Sequence, residues 1–141
     1  MTTKEFLTKL DTLNIDRIVK MVIGGTRELI IAKNQDQMLQ GIRSDNSEIS
    51  PPYTYFTRTI KEAKGMNPDI VTLYDTGDFY RAMFLDVGSD ILEIESTDRK
   101  SEELQKKYGE KIFGLTTSSK QEYLQEAFPV LLEKVKDILN L

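Results

Sequence analysis

Two side chains that carry much of protein chemistry are missing from this sequence, since its 141 residues include no cysteine and no histidine. Without cysteine, a disulfide scaffold, a thiol nucleophile and a thiolate metal site are excluded. Without histidine, the commonest general base and metal ligand are absent, and so is every histidine-based triad. We therefore predict a protein that is not an enzyme, with no catalytic, cofactor-binding or metal-binding residues and no cofactor.

Long apolar runs and a strong positive charge are also absent. No stretch approaches the roughly 18 apolar residues of a membrane span, and Met1–Glu5 is not followed by the apolar region of a secretory signal. We expect a soluble protein made in the cytoplasm, with no membrane partner. The net charge of −4 argues against non-specific binding to duplex nucleic acid, which requires a basic footprint.

The length and composition fit one domain spanning residues 1–141. Hydrophobic residues make up 39% and charged residues 30%, a balance that predicts a thin core or one that a partner completes. The predicted order is helices, hairpin, helices, which favours the α+β class with a small antiparallel sheet over a parallel βαβ fold. We expect an N-terminal helical region at 1–40 and an α+β region at 41–141.

The N-terminal region has apolar residues at helical spacing. Thr2 and Glu5 match a capping box, and Asn14 is a candidate start for a second helical segment. Gly24–Gly25 is expected to interrupt that segment, because glycine costs roughly 1 kcal/mol in a helix interior. Thr26 is then the predicted cap of a third helix.

The middle of the chain alternates proline- or glycine-marked loops with short elements. Residues 53–64 have the spacing of a short amphipathic helix with a solvated basic side. Ile70–Leu73 is a strand candidate because of its β-branched residues. Residues 79–83 fit either one helical turn or the start of a strand.

A β-hairpin over about 83–95 is the clearest β signal. Met83–Val87 and Ile91–Glu95 flank a short loop that contains Gly88. In the second strand Leu92 and Ile94 share one face, which predicts one buried face and one that is wet or meets a partner.

The C-terminal part of the chain is predicted to be helical. A charged surface helix over Lys100–Tyr108 ends at Gly109, and a long helix packs its apolar stripe over about 119–139. Pro129 is expected to kink that helix or to divide it in two. The stripe forms the core of its own domain or docks in a partner's groove, and both hold if the protein is an oligomer.

Three segments invite a functional interpretation, each with a structural alternative. Carboxylates are dense around the hairpin and suggest a metal or acid/base site, but the EF-hand spacing is absent, and capping, turns and a solvated strand face explain them. The carboxylates are Asp75, Asp78, Asp86, Asp90, Glu93, Glu95 and Asp98.

The second segment, Gly24–Arg27, suggests a phosphate cradle, although it lacks the Walker spacing and a helix break explains it.

The third segment interleaves aromatic and basic residues, as a binder of single-stranded nucleic acid does. An ordinary amphipathic helix explains the same pattern. The residues are Tyr53, Tyr55, Phe56, Arg58, Lys61 and Lys64.

The stretch Asp75–Phe79 is best interpreted as a structural corner. Gly77 permits the turn, Asp75 and Thr76 are predicted to cap it, and Phe79 is predicted to anchor the hairpin in the core.

Around this corner the sequence resembles the virion morphogenesis proteins of tailed bacteriophages, namely the head–tail connector, neck and tail-completion proteins. The matching features are Thr72–Phe79, the hairpin at 83–95, Gly109 with Ile112–Thr116, and the helix from 119. The resemblance covers roughly residues 38–140. Glu110–Lys111 stands where the family often has Arg-Pro.

The resemblance implies a structural subunit of a tailed-phage or prophage virion. Its partners would be a homo-oligomeric ring and the portal, connector or tail subunits, with DNA contact only as a channel lining. The location would be the virion, and the host cytoplasm during assembly. The alternative function is a small regulatory or nucleic-acid-associated binding protein, based on residues 53–64.

Overall fold

The computed structural model describes all 141 residues and shows an α+β protein of seven α-helices and one β-hairpin. The hairpin is a two-stranded antiparallel sheet, and no helix is both long and apolar enough to cross a membrane. The elements in chain order are α1 (Thr3–Thr12), α2 (Ile15–Gly25), α3 (Arg27–Leu39), α4 (Tyr55–Ala63), α5 (Asp78–Arg81), β1 (Met83–Val87), β2 (Leu92–Ser96), α6 (Ser101–Tyr108), a 3-10 turn (Glu110–Ile112) and α7 (Thr117–Leu139).

The predicted starts of the first two helices are confirmed. The Thr2 hydroxyl accepts a hydrogen bond from the Glu5 amide at 3.1 Å, and the Glu5 carboxylate accepts one from the Thr2 amide at 2.7 Å. The Asn14 side chain accepts from the Arg17 amide and caps α2. These bonds satisfy amides that have no partner within the helix.

Thr26 is the N-cap residue of α3, as predicted, but its side chain makes no capping hydrogen bond. Gly24–Gly25 forms the last two residues of α2, so the break falls at Thr26 itself. The Thr26 hydroxyl donates backwards to the Val22 carbonyl at 2.7 Å and shares a hydrogen bond of 2.7 Å with the Tyr123 hydroxyl. It therefore ties the α2–α3 corner to α7 instead of capping α3.

The predicted strand at Ile70–Leu73 is wrong, because Ile70 lies in a bend, Leu73 has a φ of 59° and the segment pairs with no strand. At Thr72, two tyrosine hydroxyls form the hydrogen bonds that a neighbouring strand would form. The Thr72 amide donates to the Tyr53 hydroxyl at 3.1 Å, and the Thr72 carbonyl accepts from the Tyr80 hydroxyl at 2.5 Å. Of the two interpretations for residues 79–83, the helical turn is correct, since α5 lies there and β1 begins at Met83.

The predicted hairpin is confirmed, with one buried and one exposed face. Leu85 pairs with Ile94 on the buried face, and Phe84 pairs with Glu95 on the exposed face. The long C-terminal helix is present too, but α7 runs continuously through Pro129, so the predicted division into two helices is wrong.

The core is one connected cluster of fifteen buried residues from α2, α3, α5, the hairpin, α6, the 3-10 turn, α7 and the loops before α5, with none from α4. At its centre two side-chain amides of α3 hold the segment after the 3-10 turn. Asn34 donates to the Ile112 carbonyl at 3.0 Å and accepts from the Gly114 amide at 2.9 Å. One turn later, Gln37 donates to the Gly114 carbonyl and accepts from the Thr116 amide, both at 2.9 Å. These four bonds give residues 112–116 the partners that a strand would provide.

Candidate interaction surfaces

The apolar side of α4 faces solvent. Tyr55 is 87% exposed and Phe56 73% exposed, and Ile60 is also exposed. We call these three residues the α4 face. The buried residue of the helix is Lys61, at 8% exposure, so the prediction of a solvated basic side is wrong at that position.

Specific partners explain the burial of a lysine in this helix. The Lys61 ammonium donates to the Tyr74 carbonyl at 2.6 Å and lies 5.3 Å from the centre of the Tyr53 ring. A buried charge is tolerated when it is hydrogen-bonded, and an aromatic face adds a cation–π attraction. Lys61 thus fastens α4 to the segment before Asp75, and the apolar side of the helix is left without a partner.

A cleft of about 560 Å³ lies between α4, the Asp75–Phe79 corner, and α6 with the residues just before it. Five cations and three carboxylates line it, so it is positive within a chain of net charge −4. We call it the basic cleft. Its charged residues are Lys61, Lys64, Arg99, Lys100, Lys107, Asp75, Asp78 and Asp98.

Two carboxylates of the basic cleft are held by hydrogen bonds. The Lys64 ammonium donates to Asp75 at 2.8 Å, which lowers the pKa of that carboxyl below its usual value. The Asp78 pKa is lowered by a hydrogen bond from Thr76 and then by the Arg81 guanidinium that pairs with it. Both carboxylates are therefore ionised and engaged at neutral pH.

The corner itself behaves as a structural element. Gly77 has φ of 89°, and a Cβ there would lie 2.9 Å from the Tyr74 hydroxyl, so only glycine fits without movement. Phe79 is buried and stacks on Phe113, with ring centres 5.7 Å apart. The predicted cap at Asp75 is wrong, because its carboxylate pairs with Lys64 instead.

Tyr80 is the most strongly perturbed titratable group. Burial raises its pKa far above the ordinary value for tyrosine, and nearby Tyr53, Tyr74 and Asp36 add to the shift. A tyrosine that stays protonated cannot act as a base, and its proton is already donated to the Thr72 carbonyl. Its role is to hold the backbone at Thr72, beside the basic cleft.

The carboxylates of the hairpin do not join those of the basic cleft. Asp86, Glu93 and Glu95 lie on the exposed side of the hairpin, away from the basic cleft. No group of three or more histidine, cysteine, aspartate or glutamate side chains is arranged to hold a metal ion. Gly24–Arg27 forms no cradle either, because both glycines are helical and the Thr26 hydroxyl is bonded within the chain.

A second concave surface, of about 800 Å³, follows the free edge of β2 and the first turns of α7. Its floor is apolar, and Leu92 and Leu124 are 45% and 62% exposed there. Three glutamates and one lysine provide its charge. We call it the acidic groove, and its principal residues are Leu92, Phe113, Leu115, Leu124, Glu93, Glu95, Glu110 and Lys120.

The sequence pattern did not indicate this groove. Leu124 and Phe128 belong to the apolar stripe of α7, which is predicted to face the core, yet both are exposed. The buried residues of α7 are Tyr123, Ala127 and Leu139. The signal in the sequence was the width of the apolar stripe of α7, which has more apolar residues than one packed helix face can bury.

The sequence matches no protein-family model, and no curated protein or solved structure is significantly similar to it.

Proposed function

We propose that the protein is a non-enzymatic structural subunit of a tailed-phage or prophage virion, of the neck, head–tail connector or tail-completion type. The observation that carries the proposal is the surface that the isolated chain leaves in water. Its accessible area is 9473 Å² at a mass of 16.2 kDa. A compact monomer of that mass exposes about 7,500 Å² by the usual scaling of surface with mass. The excess is about 2,000 Å².

The excess surface includes apolar side chains of a kind that monomers usually cover. The α4 face, the exposed half of the α7 stripe and the outer side of the hairpin all carry large hydrophobic residues. Contiguous exposed apolar patches mark sites of association. Examples outside the α4 face are Phe84, Ile91, Leu92, Leu124, Phe128 and Leu132.

The resemblance at residues 72–79, the hairpin and residues 109–116 supports a particular kind of assembly. A subunit of that kind acts by filling a position between neighbours, so it needs complementary faces and no reacting groups. We place it in a homo-oligomeric ring beside portal, connector or tail subunits. Its location is the virion, and the host cytoplasm while assembly proceeds.

Reconstitution tests this proposal. The purified chain is mixed with the proteins encoded by the genes beside its own, and the masses are measured by size-exclusion chromatography with light scattering. We expect a stoichiometric complex with a portal, connector or tail protein. Neighbouring genes that encode no virion proteins, or virion proteins that form no complex with the chain, contradict the proposal.

A second function, binding of single-stranded nucleic acid, is favoured by one observation. Tyr55 and Phe56 are exposed, and the same helix borders the basic cleft. A positive groove beside exposed aromatic rings is the arrangement on which successive bases stack. Arg99, Lys100 and Lys107 of the cleft form no ion pair and are free to meet phosphates.

Fluorescence anisotropy with a labelled single-stranded oligonucleotide tests this second function. Lys61 is unsuitable for substitution, because it is buried and bonded to Tyr74. The variant is therefore Lys100→Glu with Lys107→Glu, and the control is Lys134→Glu with Lys136→Glu on α7. Binding that weakens with salt and is lost only in the cleft variant supports the function. Absent or salt-independent binding contradicts it.

A further inference from the structure

We propose that the chain associates head to tail with a second copy of itself, with the α4 face of one copy seated in the acidic groove of the next. The inference rests on the proposed assembly role and names the partner of these two surfaces. The two surfaces are different, so the contact is heterologous. Such contacts produce rings when the rotation closes and filaments when it does not.

The α4 face has the shape and chemistry of an inserted element. Its three residues lie on a short helix, α4. Lys61 and Arg58 of the same helix donate hydrogen bonds to the carbonyls of Tyr74 and Pro68 and so fix the helix to the rest of the chain. Phe56 and Ile60 are one helical turn apart and so lie on one side of the helix. An amphipathic helix that docks in a groove does so through anchors at this spacing.

The acidic groove has the matching chemistry of a receptor. Leu92 and Leu124 provide an exposed apolar floor between β2 and α7. The unpaired edge of β2 borders it, which leaves backbone donors and acceptors available to a partner.

Charge complementarity selects a second copy as the occupant. Ile60 of the α4 face also lines the basic cleft, where five cations stand against three carboxylates. The acidic groove has three carboxylates against one lysine. Seating α4 in the groove of another copy brings these opposite fields together, whereas α4 against α4 or groove against groove opposes like charges.

The excess accessible area of the chain agrees with the area that a head-to-tail contact would cover. A head-to-tail contact covers two different surfaces on every subunit, and a standard interface removes about 800 Å² from each partner. Two such surfaces account for about 1,600 Å², which is close to the excess of about 2,000 Å² over a compact monomer. A single symmetric contact covers only half as much.

Complementation between two blocked variants tests the proposal. Phe56→Glu disables the α4 face and Leu124→Glu disables the groove, and because both sites are exposed we expect the variants to keep the wild-type circular dichroism spectrum. By light scattering we expect oligomers for the wild type, monomers for each variant, and a 1:1 heterodimer on mixing them. Gln125→Glu, which adds the same charge one residue outside the groove, keeps the oligomer.

Cross-linking gives a second measurement that detects weak association. Because the chain has no cysteine, Phe56→Cys with Leu124→Cys creates the only thiols present. Oxidation is expected to yield a covalent ladder of several subunits, whereas Phe56→Cys with Lys134→Cys yields none. An oligomer that survives either glutamate substitution overturns the proposal, as does mixing that leaves monomers, or a monomeric wild type without a ladder. Reconstitution with neighbouring virion proteins decides the proposed function independently of these results.

Discussion

At the scale of single residues, the buried amides of α3 are the most consequential side chains. Asn34 is fully buried, and its two hydrogen bonds serve the Ile112 carbonyl and the Gly114 amide. We expect Asn34→Ala to lower the free energy of unfolding by about 3 kcal/mol, because two backbone groups lose their partners inside the core. Urea denaturation measures the change.

Gln40→Ala is the matched control, since Gln40 is exposed just after the same helix. It is expected to change stability by less than about 0.5 kcal/mol. Equal effects of the two substitutions contradict the structural role of Asn34.

Arg43 shows why single residues of this kind escape sequence analysis. Its guanidinium donates to the carbonyls of Tyr108, Glu48 and Ser50 at 2.7–2.8 Å. In the sequence it stands in an unremarkable polar loop, sixty-five residues from Tyr108. Its importance depends on partners that only folding brings near.

At the scale of elements, α7 contains an internal proline that it accommodates without a break. Pro129 has no amide proton to complete the helical bond, and proline in a helix interior is about 3 kcal/mol less favourable than alanine. We therefore expect Pro129→Ala to raise the free energy of unfolding by about 2 kcal/mol. Thermal and urea unfolding report the change, with the exposed Gln125→Ala on the same helix as a neutral comparison. A neutral or destabilising Pro129→Ala is the contrary outcome.

The contact between α3 and α7 has a pH dependence. Lys33 pairs with Glu126 at 3.0 Å and Glu122 at 3.3 Å, and its pKa is raised, chiefly by the hydrogen bond to Glu126, while burial partly opposes the shift. A raised pKa in the folded state stabilises the protein fully below the unfolded value of 10.5. That stabilisation is lost as the pH rises through the folded value.

The difference in urea midpoint between the wild type and Lys33→Met is therefore expected to be largest at about pH 8 and to shrink above pH 10.5. Lys20→Met removes an exposed lysine without a carboxylate partner and serves as the control. Its difference from the wild type is expected to stay constant over the same range. A Lys33→Met difference that grows with pH has the wrong sign and refutes the ion pair.

At the scale of the whole molecule, assembly and folding are linked. A subunit that binds copies of itself only when folded gains stability by mass action. We expect the wild-type melting temperature to rise with protein concentration, by up to about 5 °C for each tenfold increase. The melting temperature of Leu124→Glu is expected to be independent of concentration. Differential scanning fluorimetry over a dilution series measures both, and a concentration-independent wild type counts against self-association.

The sequence by itself determined the features that depend on neighbouring residues. Caps at Thr2 and Asn14, the hairpin and the long last helix follow from local hydrogen bonding and from periods of two and 3.6 residues. The α+β class follows from the order of those elements. The corner at Gly77 also follows, because the glycine supplies a local φ of 89°.

Only the tertiary structure decided which apolar faces are covered and which charges are buried. The apolar side of α4 is exposed because Lys61 finds a carbonyl and an aromatic ring on another segment. Ile70–Leu73 pairs with no strand, and two tyrosine hydroxyls bond the amide and carbonyl of Thr72 in its place. The basic cleft and the acidic groove likewise arise from segments that are distant along the chain. Hydrophobic periodicity measures what an element is able to bury, and long-range packing determines what it does bury.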